Sequence, residues 1–193
     1  MRLLVVLSVV ATLAFAAAGC GGGGGGDSSV SGTKPETWAA SVCTALQTWG
    51  NDLESGSQKL RSSITSSADL PSVKKKLITF LRNGEKSTEK LVADVKAAGA
   101  PAVENGPAMQ SDLRASLDGA RGTFQRAVAK AKKLPTNDPR ALAAGLTSLG
   151  TEIRSELTST GARVSSLKKK YDSSELNKAM ADEPACKPFV SSS

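Results

Sequence analysis

The sequence contains no histidine. That single absence removes imidazole-activated nucleophiles, the commonest proton shuttle and most zinc sites. Aromatic residues are nearly as scarce: two tryptophans, one tyrosine and four phenylalanines in 193 residues. A net charge of +7 with so few rings to stack on bases is a poor match to nucleic-acid binding. The three cysteines, Cys20, Cys43 and Cys186, include no C-x-x-C pair, which argues against dithiol redox chemistry. No stretch of useful length alternates apolar and polar residues, so strands are not expected. After Cys20 no apolar run reaches the ~20 residues that a membrane-spanning helix needs.

What is present begins at the N-terminus. Arg2 gives a short basic start, Leu3 to Ala16 is apolar, and Ala17-Ala18-Gly19 leads into Cys20. A short apolar run ending in small residues reads as a leader, here residues 1–19. Ala17-Ala18-Gly19-Cys20 resembles the lipobox of bacterial lipoproteins, with Ala17 standing where leucine is usual. The resemblance implies acylation of Cys20 and a protein anchored on the outer face of the cytoplasmic membrane. Ordinary secretion with cleavage after Ala18 is the alternative, since Ala16-Ala17-Ala18 is also a small-x-small site. Cysteine arithmetic favours the lipoprotein. Lipidation uses Cys20 and leaves Cys43 and Cys186 as an even pair for a disulfide in an oxidising compartment. Secretion would leave Cys20 as an odd thiol on a glycine arm. Two acyl chains anchor durably where one is marginal. Gly21 to Gly26 cannot bury anything, and residues 20–33 form a flexible tether with a reach of ~20 Å. Loss of the leader removes one cation, Arg2, so the mature chain stays mildly basic.

Residues 34–189 read as one all-α domain. Thr33-Lys34-Pro35-Glu36 has the form of a capping box with proline in the first turn. Behind it Trp38, Val42, Leu46, Trp49, Leu53, Leu60 and Ile64 recur mostly every three or four residues. Asp69 before Pro71 opens a second helix carrying Val73, Leu77, Phe80, Leu81, Leu91 and Val95, closed by Gly99 and Pro101. A third follows Gly106-Pro107, with Met109, Leu113, Leu117, Ala120, Phe124, Val128 and Ala131, and ends at Leu134-Pro135. Asp138-Pro139 starts a fourth, with Leu142, Leu146, Leu149, Ile153, Leu157, Val164, Leu167 and Tyr171. Ser173 caps a short helix through Met180, and Pro184 to Ser193 reads as an irregular tail, disordered over 190–193. Short connections between long helices make an antiparallel up-down-up-down four-helix bundle with a short C-terminal helix the economical fold. An even number of antiparallel helices also returns Cys186 to the end where Cys43 lies, within disulfide reach.

Chemistry is hard to find. The acidic residues fall largely off the apolar stripes, without the Glu-x-x-His pairs of di-metal bundles, so neither metal nor cofactor is expected. Ser165-Ser166-Leu167-Lys168 matches S-x-x-K but lacks the companion motifs. Trp38 and Trp49, eleven residues apart on one helix face, read as core anchors. The charge layout is more informative. Measured from the start of the first helix, Lys59, Arg61, Lys74, Lys75, Lys76, Lys130, Lys132, Lys133 and Arg140 collect at the far end. Lysines near helix C-termini complement the macrodipole, whereas Lys74, Lys75 and Lys76 open a helix where the dipole disfavours cations. Lys74, Lys75, Lys76, Lys130, Lys132, Lys133 and Arg140 are therefore the candidate anion-binding residues. An anionic cell-wall polymer or an acidic protein is the candidate partner. A second run, Lys168-Lys169-Lys170, closes the fourth helix at the anchored end, where dipole complementarity accounts for it.

The segment Thr37-Trp38-Ala39-Ala40-Ser41-Val42-Cys43-Thr44-Ala45-Leu46-Gln47-Thr48-Trp49, followed by Asn51-Asp52-Leu53, resembles the first helix of small secreted or lipidated helical proteins of high-GC Gram-positive bacteria. The resemblance implies an envelope compartment and a helical fold, and it carries over no catalytic residue. The expectation is thus a non-catalytic envelope module that binds or supports. Two other classes stand beside it: an envelope enzyme or accessory with a Ser/Lys site, and a carrier of apolar molecules, which would need a hollow core.

Overall fold

A computed structural model describes residues 31–65 and 69–190. Every regular element among them is helical. Four long helices, α1 (Pro35–Thr65), α2 (Leu70–Ala98), α3 (Gly106–Lys132) and α4 (Pro139–Lys170), precede a short α5 (Ser174–Asp182), a 3₁₀ turn (Pro184–Cys186) and a final α6 (Lys187–Val190). No helix among the described residues is long and apolar enough to cross a membrane.

The punctuation follows local chemistry. Asp69, Asp138 and Ser173 each stand in extended backbone and accept from amides of the next turn, satisfying donors that a helix start leaves open. Prolines follow Asp69 and Asp138 inside the first turn, where the missing N–H costs nothing. Gly99 ends α2 at φ 72°, a conformation that favours glycine. The capping box expected at α1 does not form. The Thr33 hydroxyl donates instead to Ala98 O at 2.7 Å. Thr33 N donates to Ala100 O and Ala102 N to Thr33 O, at 2.8 and 2.7 Å. A long-range partner has outcompeted the local one, and the chain entry is stitched to the α2–α3 connection.

Close backbone packing joins α1 to α2, α2 to α3, α3 to α4 and α5 to α1. Helices α1 and α2 run in opposite directions, as do α3 and α4. Lys76 near the start of α2 meets Ser63 near the end of α1, while Trp49 meets Thr88 further along. Likewise Lys130 meets Glu152, and Lys170 meets Asp112, across α3 and α4. The α1–α4 side lacks the close approach seen at the other three. Most of the α4 stripe is accordingly half-buried, and only Leu142, Leu149 and Thr160 are fully covered.

Two large apolar clusters fill the interior among the described residues, beside a small one of Ala39, Cys43, Ala179 and Cys186. One gathers Trp38, Val42, Leu91, Val95, Leu113 and Leu117 near the chain entry, with Val164, Leu167 and Tyr171 against it. The other gathers Leu77, Leu81, Phe124, Val128 and Leu149 toward the opposite end, with Leu53, Leu60, Leu146, Ile153 and Leu157 against it. Both tryptophans are anchors whose indole N–H groups find acceptors, as burial demands. Trp38 donates to Gly99 O at 3.0 Å and to Gln110 Oε1 at 3.3 Å; Trp49 donates to Thr88 Oγ1 at 2.9 Å.

Cys43 and Cys186 form a disulfide, with Cα atoms 5.0 Å apart. Helix α5, packed on α1, carries the chain back to it. The expected irregular tail is corrected here through Val190: Glu183 Oε1 accepts from Ala185 N, Cys186 N donates to Glu183 O, and the bridge fixes the turn. Residues 191–193, the leader, Cys20 and the glycine tether lie outside the described residues.

Candidate functional site

The end opposite Thr33 is built from the last turns of α1 and α3 and the first turns of α2 and α4. Its two nearest acids are occupied. Asp69 Oδ1 accepts from Ser72 N at 2.7 Å, and hydrogen bonding from Ser72 holds its carboxyl below the usual range, with a smaller contribution from Lys76. Asp138 Oδ1 accepts from Arg140 N and Ala141 N at 2.8 and 3.3 Å.

Lys74 and Lys76 owe their positions to neighbouring helices. Lys74 Nζ donates to Leu134 O at 2.7 Å, just past the end of α3, and Lys76 Nζ donates to Ser63 O at 2.8 Å in the last turns of α1. Each ammonium thus meets carbonyls that a helix C-terminus leaves without an intrahelical donor, where the partial charge is negative. The cost of placing cations at the start of α2 is offset by the two antiparallel helix ends on either side. This cross-helix capping is invisible to a reading of α2 alone.

Lys75 lies between them, exposed, with no side-chain hydrogen bond or ion pair among the described residues. It lines two shallow surface grooves. The first, about 530 Å³, lies between α1 and α2, with cations Lys59, Lys75 and Lys76 above an apolar floor of Leu60 and Phe80. Ser63, Ser72, Thr79 and Asn83 add hydroxyl and amide groups to its walls. Gly56 makes room for the floor, since a Cβ there would stand 3.2 Å from two atoms of the Phe80 ring. The second groove, about 550 Å³, lies between α2 and the end of α3, lined by Lys74, Lys75, Arg82 and Lys132 with Ile78, Thr79 and Thr136. Among the described residues, neither groove is lined by an acidic side chain.

Of the candidate residues, Lys74, Lys75, Lys76 and Lys132 come together in this way. Lys133 and Arg140 are exposed at the same end but line neither groove. Lys130 is drawn away, its Nζ 2.6 Å from Glu152 on α4, and belongs to the α3–α4 seam. Arg82 and Thr79 were not among the expected residues. Their signal lay in the sequence: positions 75, 79 and 82 are spaced to share one face of a helix.

The end that holds the chain entry is different in character. Lys34, Lys96, Lys168 and Lys169 there are interspersed with Glu36, Glu104, Asp172 and Glu175. Lys170 pairs with Asp112 at 2.7 Å, and the Tyr171 hydroxyl donates to the same carboxylate oxygen at 2.7 Å. Hydrogen bonds from Lys170 first, then Tyr171, hold the Asp112 carboxyl below the usual range, and the Lys170 ammonium is held above its own. The charge surplus is therefore one-sided.

Ser165 and Lys168 of the S-x-x-K segment both stand exposed on the last turns of α4. No cluster of three or more metal-ligating side chains occurs among the described residues. Comparison with family models, curated proteins and solved structures found no match.

Proposed function

We propose that this chain is a non-catalytic, lipid-anchored module of the cell envelope. It is an antiparallel up-down-up-down four-helix bundle with a short C-terminal helix, tethered through Cys20 at one end and binding an anionic wall polymer with the other. The observation that carries this reading is the pair of grooves sharing Lys75, cationic and without a carboxylate among their described lining residues, at the end remote from Thr33. Cationic clefts of this kind concentrate anions and act over about a Debye length, ~8 Å at physiological salt. Hydroxyl and amide groups beside the lysines suit a hydroxyl-rich polymer better than a bare acidic peptide.

Several features support the orientation. Thr33, where the tether joins the fold, is bonded to the α2–α3 connection, and the disulfide between Cys43 and Cys186 pins the C-terminal segment against α1. A lipid at Cys20 would hold that end at the outer face of the cytoplasmic membrane and leave the basic end directed into the wall.

Retention on isolated cell wall tests the function. The protein lacking residues 1–20 is expected to bind and to elute as salt rises, because exposed ion pairs are screened. Lys75→Glu should elute at clearly lower salt while keeping its helicity, since Lys75 bonds no backbone carbonyl. Lys74→Glu and Lys76→Glu are less clean variants, because each also uncaps a neighbouring helix. Salt-insensitive retention, or retention unchanged by Lys75→Glu, contradicts the reading.

A further inference from the structure

We infer that the ligand is an extended, repeating polyanion that crosses α2 and occupies both grooves at once, rather than a compact anion bound in either. The inference rests on the polyanion-binding reading above and adds the shape of the ligand and the residue on which it turns.

The grooves flank the same stretch of α2. One takes Ser72, Lys75, Lys76, Thr79, Phe80 and Asn83 from that helix. The other takes Pro71, Lys74, Lys75, Ile78, Thr79 and Arg82. Only Lys75 and Thr79 line both. Four residues apart on one helix face, they form the ridge between the grooves. Lys75 is thus placed to contact a ligand as it passes over; the Thr79 hydroxyl proton is committed to Lys75 O at 3.0 Å, so the Lys75 ammonium is the anion-binding group of the ridge.

The two grooves are alike in size, at about 530 and 550 Å³, and alike in chemistry: cations, hydroxyls and a small apolar floor. Like sites on either side of a ridge suit like units of one chain. Each groove alone is open and shallow, so a single anion in it keeps much of its hydration and binds weakly. Joining two such units converts the second contact into an intramolecular event at high effective concentration, and affinity rises without any new contact. The ridge is one helix wide, roughly 10–12 Å with side chains. A ligand must be at least that long to gain the effect.

The experiment measures binding of the folded protein to orthophosphate, pyrophosphate and long-chain linear polyphosphate. A parallel series uses short and long oligogalacturonates, so that phosphate and carboxylate polymers are distinguished. Chains long enough to cross the ridge are expected to bind at least about tenfold more tightly, per anionic group, than chains too short to do so. Lys59→Glu disables only the α1–α2 groove and Arg82→Glu only the α2–α3 groove. Either should bring long-chain affinity down toward the short-chain level, and Lys75→Glu should do so more completely than either. All three side chains are exposed and unbonded among the described residues, and unchanged helicity verifies that each variant folds. Long-chain preference that survives both Lys59→Glu and Arg82→Glu overturns the bridging inference and leaves polyanion binding standing. No binding to any chain of either series overturns both.

Discussion

Replacing Cys43 and Cys186 together by alanine should lower the melting temperature by roughly 10–15 °C, with the helices still formed below the transition. The bridge closes a loop with a sequence separation of 143, and for loops of that length the chain-entropy model gives ~4–5 kcal/mol. Both half-cystines are fully buried with Ala39 and Ala179, where alanine fits without polar penalty. The cost should therefore appear as loss of the cross-link rather than as damage to the core. Local structure adds a second signature. The 3₁₀ turn and α6 are held at the Cys43 end of α1 by that bond, so proteolysis of the double variant should begin after Asp182. Thermal unfolding followed by circular dichroism measures the first effect, and limited proteolysis read by mass measures the second.

The other large effect is expected where Gly84 of α2 faces Phe124 of α3. A Cβ at Gly84 would lie 2.6 Å from Cε1, 2.9 Å from Cδ1 and 3.0 Å from Cζ of a ring that is 1% exposed. The ring has Leu77, Leu81, Val128 and Leu149 in its cluster and nowhere to retreat. Gly84→Ala gains up to ~1 kcal/mol in helix propensity, which offsets only part of an overpacking cost of ~1–3 kcal/mol, so a net loss of about 1 kcal/mol is expected. Gly84→Val adds two methyl groups at the same spot and gives up part of the propensity gain; a loss of about 3 kcal/mol is expected. Phe124→Ala alone should cost ~3–5 kcal/mol through the cavity it leaves. Combined, Gly84→Val and Phe124→Ala should cost less than the sum, because the valine occupies part of the space the ring vacates. Urea unfolding of the four proteins, read as changes in the midpoint at constant slope, decides it. Additive losses would mean that the glycine and the ring do not confront one another.

Helix positions were legible because their signals are local. Asp69, Asp138 and Ser173 cap the turns immediately after them, and the apolar stripes of α1 to α4 repeat at helical spacing. The Cys43–Cys186 pair was also legible, from cysteine parity and the return of the chain. What could not be read depends on distant partners. Thr33 has the composition of a cap, yet its hydroxyl goes to Ala98, which no local pattern foretells. Lys74 and Lys76 look unfavourable at the start of α2 until Leu134 and Ser63 arrive from α3 and α1. The turn at Pro184–Cys186 follows from Glu183 and from a covalent partner 143 positions earlier. The unequal closeness of the four helices, tight along α1–α2–α3–α4 and looser between α1 and α4, depends on side-chain fit, such as Phe124 against Gly84, rather than on periodicity.

The same limit shaped the candidate site. Net charge and lysine runs located a basic end but did not separate its members. Lys130 is spent on Glu152, Lys74 and Lys76 cap neighbouring helices while also lining grooves, and Lys75 alone lies on the ridge. Only the packing of α1 and α3 against α2 creates the grooves that bring Lys59 and Lys132 beside it.

The central claim is that the end carrying Lys75 faces the wall polymer while the end carrying Thr33 and Lys168 faces the membrane. Its most direct measurement places a photo-crosslinking residue at position 75, and separately at position 168, in the full-length protein in intact cells. The account predicts adducts with wall polymer from position 75 and none from position 168. Polymer adducts of equal yield from both positions, or from position 168 alone, would contradict it.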